Sequence, residues 1–328
     1  MRFTYRAFAD DSESVTWGEC FQEFWPAYRR WYVSRGISQL PTFLECRTAL
    51  RKHLPEFVPT WEHLCRVVGG GDLESRFLSL YRPPPFIMGC SQAVWPGDEP
   101  LLVRNYDYDP RLIDGTLILT HWGERRVIGT SDCLIGLVDG MNDAGLAVSL
   151  TFGGRRATGN GFAMPIVLRY VLETCSTVGE AVKTMKRMPY HMSHNVTLLD
   201  ASGGKATVYA APDRRLRVSS VAVATNHQKS VEWKQHALAT ASVEREQYML
   251  NDLLPRETTE AAFAKAFLQP PLYSRAFDRG FGTLFTAAYW PRKGEMAYLW
   301  PRATWKFSFK SFKEGEKTTT YNGRKAKS

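Results

Sequence analysis

IMGCSQAVWPGDEPLLVRNYDYDP, residues 87–110, is the stretch that decides the fold. Two apolar runs flank the turn sequence PGDEP, which predicts a β-hairpin whose first strand begins at Cys90. Side chains alternate along a strand, so Asn105 and Asp107 should share one face of the second strand. Arg104 should lie on the other face unless a bulge re-aims it. If the turn closes the hairpin, this polar cluster folds back beside Cys90.

The segment before the hairpin, residues 1–89, is predicted to be mostly helical. Aromatic side chains recur at three- and four-residue spacings in WGECFQEFWPAYRRWYVSRG, and the amphipathic run FLECRTALRKHLPEFVPTWEHLCRVV follows. Three consecutive prolines at positions 83–85 cannot lie in a central strand, so they mark a boundary just before Cys90.

After the hairpin, short strand patterns alternate with pairs of helical stretches. Strands are predicted in GTLILTHW, RRVIGTS, LIGLVDGMN and GLAVSLTF, and helices in AMPIVLRYVLETC and VGEAVKTMKRM. Another hairpin, NVTLLDASGGKATVYAA, precedes a mixed helical region at about 233–269, and TLFTAAYWPRKGEMAYLWP makes the last hairpin. This order predicts an α+β sandwich with antiparallel sheets and helices outside. We expect a catalytic region over residues 90–305 and a basic, flexible tail over 306–328.

Composition narrows the class of protein. A chain of 328 residues with 44% hydrophobic residues can bury a sizeable core. The net charge of +9 comes from 42 Lys and Arg against 33 Asp and Glu, but the basic residues are scattered or lie in the tail, which argues against nucleic-acid binding. No apolar run has the length of a signal peptide or a membrane span. We therefore expect a cytoplasmic protein with free thiols that has no membrane partner, and a homo-oligomer stays open.

Six cysteines are candidate nucleophiles, and five have ordinary explanations. Four lie in helical patterns among apolar neighbours, and the fifth begins a strand with nothing catalytic beside it: Cys20, Cys46, Cys65, Cys175 and Cys133. No CxxC pair is present, so we expect no metal site. His191 and His194 could mimic a metal pair, but no acidic or cysteine ligand follows at a suitable spacing. His227 is not required for the predicted chemistry.

Cys90 differs because it follows Gly89 directly and begins the sheet. A thiol with a pKa near 8.5 needs a base to remove its proton. If the Gly89–Cys90 peptide bond were cut, the α-amino group of Cys90, with a pKa of roughly 7.7–8.0, would serve. Glycine tolerates the strained backbone that such self-cleavage requires. Asp107 could hold the α-ammonium group or orient the thiol. On spacing alone, a hairpin with an ordinary surface Arg and Asp stays an open alternative.

Residues 87–110 resemble the mature start of the acyl-coenzyme A:isopenicillin N acyltransferase-like N-terminal-nucleophile (Ntn) cysteine hydrolases, and more distantly the choloylglycine hydrolases. Four later elements match in the same order: LIGLVDGMNDAGLAVSLTFGG, HNVTLLDASGGKATVYAA, ATNHQ and GTLFTAAYWPRKGEMAYLWP. Together these elements cover most of residues 60–305. The resemblance implies a four-layer αββα sandwich with two antiparallel sheets, preceded by the helical segment.

The resemblance also implies a set of site residues. The nucleophile falls on Cys90, freed by autoproteolysis after Gly89, and the strand Arg and the carboxylate fall on Arg104 and Asp107. The oxyanion-side amide falls on Asn226, for which a strand-capping turn residue is the alternative. Two further residues are possible members of the site: Thr151, where the bile-salt hydrolases have Asn, and the late arginine Arg279, with Arg275 as second choice.

The implied function is hydrolysis of a non-peptide linear amide through an acyl-Cys90 intermediate, without a cofactor. An acyltransferase that moves an acyl group from a thioester or an amide to an amine is the alternative, because both share the acyl-enzyme. A non-catalytic binding protein on the same fold is the second alternative. The expected partner is a small amide or thioester substrate.

Overall fold

In the computed structural model, which describes residues 1–11 and 13–321, two β-sheets pack face to face with helices on both outer sides. The strands are β1 (Arg2–Asp10), β2 (Gly89–Val94), β3 (Leu102–Tyr108), β4 (Thr116–Thr120), β5 (Val127–Asp132), β6 (Gly136–Asn142), β7 (Leu146–Phe152), β8 (His194–Asp200), β9 (Lys205–Ala210), β10 (Arg217–Ser219), β11 (Val223–Ala224), β12 (Arg275–Ala276), β13 (Phe281–Trp290), β14 (Glu295–Trp300), β15 (Ala303–Ser308) and β16 (Gly315–Thr320). The helices are α1 (Val15–Tyr32), α2 (Phe43–His53), α3 (Val58–Val67), α4 (Asp72–Leu78), α5 (Met164–Thr174), α6 (Val178–Met185), α7 (Lys234–Ala239), α8 (Ser242–Tyr248) and α9 (Glu260–Ala266).

The two sheets differ in size. One has nine strands in the order β10-β9-β8-β7-β6-β5-β4-β1-β16, and the other has seven, in the order β11-β2-β3-β13-β14-β15 with β12 beside β13. Neighbouring strands are antiparallel except β1 and β4, which are parallel. The inner faces meet where β2 and β3 contact β7.

Helices complete the four layers. Helix α5 packs on β6 and β7 at the outer face of the nine-stranded sheet. A second, smaller core joins the outer face of the seven-stranded sheet to the helical region near α8 and α9, where Phe263 and Phe267 contact the layer that contains Ala93 and Val103. The predicted α+β sandwich of four layers is therefore confirmed.

The hairpin of residues 87–110 has the predicted form. Strands β2 and β3 pair antiparallel, with Gly89 opposite Asp107 and Cys90 opposite Tyr106. Both strands are almost wholly buried because they lie in the middle of a sheet that is covered on both faces. The first residue of β2 is thus fixed in the interior of the molecule.

The amino-terminal segment contains a strand that the helical prediction missed. Strand β1 joins the nine-stranded sheet, and its alternate residues Tyr5 and Ala7 are buried while Thr4 is exposed. Its partners β4 and β16 lie more than a hundred and about three hundred residues away in the chain, so local spacing gave no sign of the pairing. Helices α1 to α4 follow as expected.

The carboxyl-terminal prediction of a flexible basic tail from residue 306 needs correction up to Tyr321. Strand β15 continues through this region, and β16 pairs with β1. Lysines such as Lys306 face solvent, whereas Phe307 and Tyr321 are buried. The many lysines therefore lie on the exposed face of a strand, which the prediction from net charge did not recognise. Residues 322–328 lie outside the described residues. The domain division at residues 89 and 90 stays a prediction.

Among the described residues, no helix combines the length and apolar character that crossing a membrane requires. All six cysteines are buried and free.

Candidate active site

The side chain of Cys90 points into the space between the two sheets. Cys90 and Val94 belong to the main core, and Gln92 on the same face bonds to Thr197 of the nine-stranded sheet. Side chains at the alternate positions of β2, such as Ala93, belong to the second core on the outer face. The strand therefore presents its thiol inward and its neighbours outward.

Arg104 is the closest polar neighbour of the thiol. Its Nη2 lies 3.1 Å from Cys90 Sγ, and its Nε donates to the carbonyl oxygen of Leu150 at 3.0 Å. Burial raises the pKa of the Cys90 thiol to about 11, and the positive charge of Arg104 acts against this rise. The uncut chain therefore holds a protonated thiol at neutral pH, in contact with a cation that favours the thiolate.

Arg104 is fixed by a buried ion pair with Asp139, for which sequence reasoning gave no signal. Arg104 Nη1 donates to Asp139 Oδ2, and both side chains are fully buried. Asp139 Oδ1 accepts from the hydroxyls of Thr130 and Tyr289, each at 2.5 Å. A buried ion pair needs such additional hydrogen bonds to offset its desolvation, and here they hold the guanidinium against the thiol.

The side-chain amide of Asn226 is hydrogen-bonded to the main chain on both sides of Gly89. Its Oδ1 accepts from the backbone N–H of Cys90 at 3.0 Å, and its Nδ2 donates to the carbonyl oxygen of Met88 at 3.2 Å. A second acceptor for Nδ2 is the carbonyl oxygen of Phe152 at 3.4 Å. The backbone N–H of Asn226 donates to Ser242 Oγ at 2.8 Å, which secures the loop.

Arg245 is a site residue that the sequence analysis missed. It extends from α8 and donates at 2.6 Å to the carbonyl oxygen of Cys90 and at 2.7 Å to Asn226 Oδ1. It lies 3.4 Å from Asp107 Oδ2 and is 2% exposed. Its sequence context, SVEREQY, is that of a polar surface helix, so no local signal marks the arginine as buried. The turn before α8, where Ala241 has a φ of 50°, precedes the helix that carries Arg245 inward.

Asp107 lies on the opposite face of the hairpin from the thiol, as strand alternation predicts. Its Oδ1 accepts from Thr283 Oγ1 at 2.6 Å. Burial raises the pKa of Asp107 above its usual range, against the effects of Arg245 and Thr283. A Cβ at Gly89 would lie 3.1 Å from the Cβ of Asp107, so this position favours a residue without a side chain.

Thr151 supports the loop that carries Asn226. Its hydroxyl donates to the carbonyl oxygen of Thr225 at 2.6 Å. Asn195 Nδ2 donates to Thr225 O at 2.9 Å and to His227 O at 2.8 Å. Two strands of the nine-stranded sheet thus fix the backbone on either side of Asn226.

Arg279 and its alternative Arg275 are exposed and line a cavity of about 1030 Å³ whose wall does not include Cys90. The same cavity is bounded by Gly89, Asp107 and Arg245, so it reaches the amino-terminal side of the predicted cut. The late arginine that touches the Cys90 backbone is Arg245, and the cavity arginines are available to a molecule that approaches Gly89.

Two of the remaining candidate histidines, His227 and His191, have hydrogen-bond partners. The His227 ring bonds to Ser242 Oγ at 2.7 Å and to Glu246 Oε2 at 3.0 Å. The Nδ1 atom of His191 bonds to the carbonyl oxygen of Gly159 at 2.7 Å. Within residues 1–11 and 13–321, no group of three or more His, Cys, Asp or Glu side chains could hold a metal ion.

Two sheets packed between helix layers, with a cysteine at the first inward position of a central strand, give the chain the four-layer fold of the Ntn hydrolases. The chain belongs to the acyl-coenzyme A:6-aminopenicillanic acid acyl-transferase family, whose sequence model matches residues 94–305. The match contains Arg104, Asp107 and Asn226 and begins four residues after Cys90. Membership supports an enzyme of amide hydrolysis or acyl transfer. A comparison with curated protein sequences finds no significant match.

Several solved structures are similar to the chain at low sequence identity. Penicillin V acylase from Agrobacterium tumefaciens is 16% identical, with a TM-score of 0.47 over 67% of this chain and 86% of its own. A mutant of conjugated bile acid hydrolase from Clostridium perfringens is 14% identical, with a TM-score of 0.46 over 71% and 97%. The Caenorhabditis elegans orthologue of N-acylethanolamine-hydrolyzing acid amidase is 16% identical, with a TM-score of 0.46 over 66% and 98%.

Proposed function

We propose that this protein cuts its own chain between Gly89 and Cys90 and then hydrolyses a small linear amide through an acyl-Cys90 intermediate. The observation that carries the proposal is the double contact of the Asn226 amide, which holds Met88 O and Cys90 N at 3.2 and 3.0 Å. These atoms stand on either side of the Gly89 carbonyl carbon, so the amide fixes the peptide that would be attacked.

Self-cleavage requires an acyl shift from nitrogen to sulfur. Cys90 Sγ attacks the carbonyl carbon of Gly89, the bond from that carbon to the Cys90 nitrogen breaks, and the nitrogen leaves as an amine with the proton from the thiol. Water then hydrolyses the thioester, which leaves a carboxylate on Gly89 and a free thiol on Cys90. Contact with Arg104 supports the thiolate that attacks.

The new α-amino group serves as the base in turnover. It takes the thiol proton, Sγ attacks the substrate carbonyl, and the ammonium group returns the proton to the departing amine. Once Met88 has withdrawn, Asn226 Nδ2 can donate to the oxyanion of the substrate, an effect of about 3–4 kcal/mol for a well-placed donor. Arg245 is a positioning residue here, because its bond to Asn226 Oδ1 fixes the orientation of the amide, with Nδ2 directed at Met88 O.

Acyl transfer to an amine is the second candidate, because the same acyl-enzyme forms and only the group that resolves it differs. The 1030 Å³ cavity, bounded by Gly89 and Asp107, leaves room for an acceptor amine as well as for water. We propose a small amide or thioester as the substrate of either reaction.

Intact mass spectrometry of the purified protein tests the proposal. We expect two fragments, residues 1–89 and 90–328, and a single uncut chain for Cys90→Ala. Cys175→Ala is the matched control, because this buried thiol lies on the outer layer at the end of α5 and should leave processing unchanged.

Activity forms the second part of the test. The processed protein should release amine from N-acyl amides, and an added amine should be acylated if the protein is a transferase. A wild-type chain that stays whole and does not react with acyl-thiol reagents would rule out the proposed enzyme.

A further inference from the structure

A cluster of aromatic and histidine rings borders the residues just before the predicted cut. We call this cluster the aromatic chamber and define it by five side chains: Phe152, His194, Trp233, His236 and Phe281. Ring centroids of its neighbouring members lie between 5.1 and 6.3 Å apart. Its members come from β7, β8, β13 and the region of α7, so both sheets contribute.

The chamber touches the reacting end of the chain. A Cβ built on Gly89 would lie 3.3 Å from the ring of Phe281, which also lines the large cavity. On the other side, the carbonyl oxygen of Phe152 shares the Asn226 amide with that of Met88. The chamber is therefore adjacent to both residues that precede the scissile bond.

An aromatic side chain of the uncut protein lies at the edge of the chamber. The ring centroid of Phe86 is 6.3 Å from that of His194. Among the described residues, no backbone–backbone hydrogen bond involves residues 83–88, so side-chain contacts and the Asn226 bond hold this segment. After the cut, the segment has lost its covalent link to Cys90 and can leave the site.

Polar atoms inside the chamber have no partner. In the part of the chain that the structure describes, neither ring nitrogen of His236 is hydrogen-bonded, and the same holds for the buried Nε1 of Trp233. His236 is 6% exposed and its ring is enclosed by Phe152, Trp233 and Phe281. Native proteins rarely leave buried polar groups unpaired, so these atoms point to a ligand that bonds them.

The imidazole of His236 is neutral over the usual pH range. Burial lowers the pKa of His236 to about 4, and the positive charge of nearby Arg245 acts in the same direction. A neutral imidazole offers one N–H donor and one acceptor nitrogen. A hydroxyl group, which both donates and accepts, is a suitable partner within an otherwise apolar chamber.

The self-cleavage reaction indicates which part of a substrate enters the chamber. When Cys90 attacks Gly89, the acyl group is Gly89 together with the residues before it. A substrate attacked at the same carbon directs its acyl group along the same path, toward the space that Met88 and Phe86 fill in the uncut chain. Three residues of extended chain span roughly 10 Å, so an acyl group of comparable length can reach the rings.

We propose that the aromatic chamber is the acyl-binding subsite and that it selects acyl groups ending in an aromatic ring that carries a hydroxyl group. The inference rests on the proposed function and adds a substrate class to it. His236 and Trp233 supply the polar recognition, and Phe152 and Phe281 supply the apolar walls.

The test compares two acyl groups that differ by one hydroxyl. Processed protein is given the phenylbutanoyl and para-hydroxyphenylbutanoyl amides of aminomethylcoumarin, and kcat/KM is measured for each. We expect the wild type to prefer the hydroxylated acyl group by about tenfold, the size of one well-made hydrogen bond. In His236→Phe, we expect the ratio of the two kcat/KM values to fall to about one, whatever the change in the absolute rates. Arg279→Ala, on the cavity rim, should keep the preference.

Binding of the two free acids, measured by calorimetry on processed protein, separates this inference from the proposed amide hydrolysis because it needs no turnover. A tenfold difference in Kd that disappears in His236→Phe supports the chamber even if no amide is hydrolysed. Equal binding in the wild type, or a preference that survives His236→Phe, overturns the inference. A preference that instead disappears in Arg279→Ala also overturns it, because the acyl group then lies in the cavity.

Discussion

Two buried arginines lie on opposite faces of strand β2, and they contact different atoms of the same residue. Arg104, between the sheets, lies 3.1 Å from the sulfur of Cys90, whereas Arg245, on the outer face, donates to the carbonyl oxygen of Cys90 at 2.6 Å. The two arginines thus act on different parts of Cys90. Arg104 contacts its reactive side chain, and Arg245 holds the main chain around the predicted cut.

The two arginines also differ in what holds them. Arg104 is paired with Asp139, whose other oxygen is bonded twice, so the inner face is a tight ionic network. Arg245 lies 3.4 Å from the Asp107 carboxylate, and its short hydrogen bonds, at 2.6–2.8 Å, go to the uncharged oxygens of Thr240, Cys90, Ser91 and Asn226. Loss of Arg104 should therefore affect both fold and chemistry, and loss of Arg245 chiefly the chemistry.

Arg104→Met should have the largest effect. It removes the cation beside the thiol and leaves Asp139 charged and unpaired in the interior, a change that typically costs about 3–5 kcal/mol. We expect no self-cleavage by intact mass and a clear fall in the denaturant midpoint.

The double variant Arg104→Met/Asp139→Asn separates the two consequences. It removes the buried charge, so most of the stability should return, but the thiol still lacks its cation and the chain should stay uncut. Recovery of cleavage in the double variant would show that Arg104 acts only through the fold.

Arg245→Met should slow self-cleavage by up to about a hundredfold, because the Cys90 carbonyl oxygen and Asn226 Oδ1 lose the cation that holds them around the scissile peptide, and a hydrogen bond to a charged group contributes about 1.5–3 kcal/mol. The free energy of unfolding should fall less than for Arg104→Met. Burial already raises the pKa of Asp107, so that carboxyl can take a proton when the arginine is gone. The measurement is the rate at which uncut chain disappears.

A matched control for this change is Arg169→Met. Arg169 is fully buried and paired with Glu173, but it lies in α5 on the far layer of the nine-stranded sheet. The Arg169→Met protein should be less stable than the wild type but should cut itself at the wild-type rate while it is folded. Equal rates for Arg245→Met and wild type would remove Arg245 from the site.

The same contrast explains how far sequence alone could go. Strand alternation in β3 predicts that Arg104 and Asp107 face opposite sides of the sheet, and the structure has this arrangement. The register is fixed because both faces of the strand are covered, so a slip of one residue would move every side chain to the wrong layer. The order of most strands and helices between residues 90 and 300 likewise follows from local patterns and turn residues.

Features that depend on distant partners were not predictable. Arg245 lies in a short helix with a polar sequence, and only the packing of that helix on the seven-stranded sheet turns its side chain toward Cys90. Strand β1 and strand β16 pair across almost the whole chain. In the sequence, Asp139 looks like an ordinary strand residue. Only the packing of the two sheets brings Arg104 into contact with it.

The pH dependence of self-cleavage should follow the ionisation of the Cys90 thiol, on the inner face. The thiol pKa of about 11 means that the thiolate fraction rises about tenfold for each pH unit between 7 and 9, and the guanidinium groups do not titrate there. The Arg245→Met protein, purified before it has cut itself, should therefore be cleaved about tenfold faster for each pH unit between 7 and 9. Circular dichroism over the same range checks that the fold is unchanged. A flat profile would indicate that another group takes the proton.

Thr283→Val, a substitution on the outer face, should have the smallest effect on the rate of self-cleavage. The Thr283 hydroxyl donates to Asp107 Oδ1 at 2.6 Å, and its loss removes one hydrogen bond, about 1 kcal/mol, while Arg245 keeps its bonds to Cys90 and Asn226. Self-cleavage, followed by intact mass over time, should slow by only a few fold, since Asp107 is one contact removed from the peptide that breaks.

Thr130→Val is the matched comparison for this change, because it removes a donor at a similar distance from Asp139 on the inner face. If the two faces act as described, Thr130→Val should shift the pH profile of the thiol through Arg104, and Thr283→Val should leave that profile where it is. A shift produced by Thr283→Val alone would mean that Asp107, and not Arg104, governs the thiol.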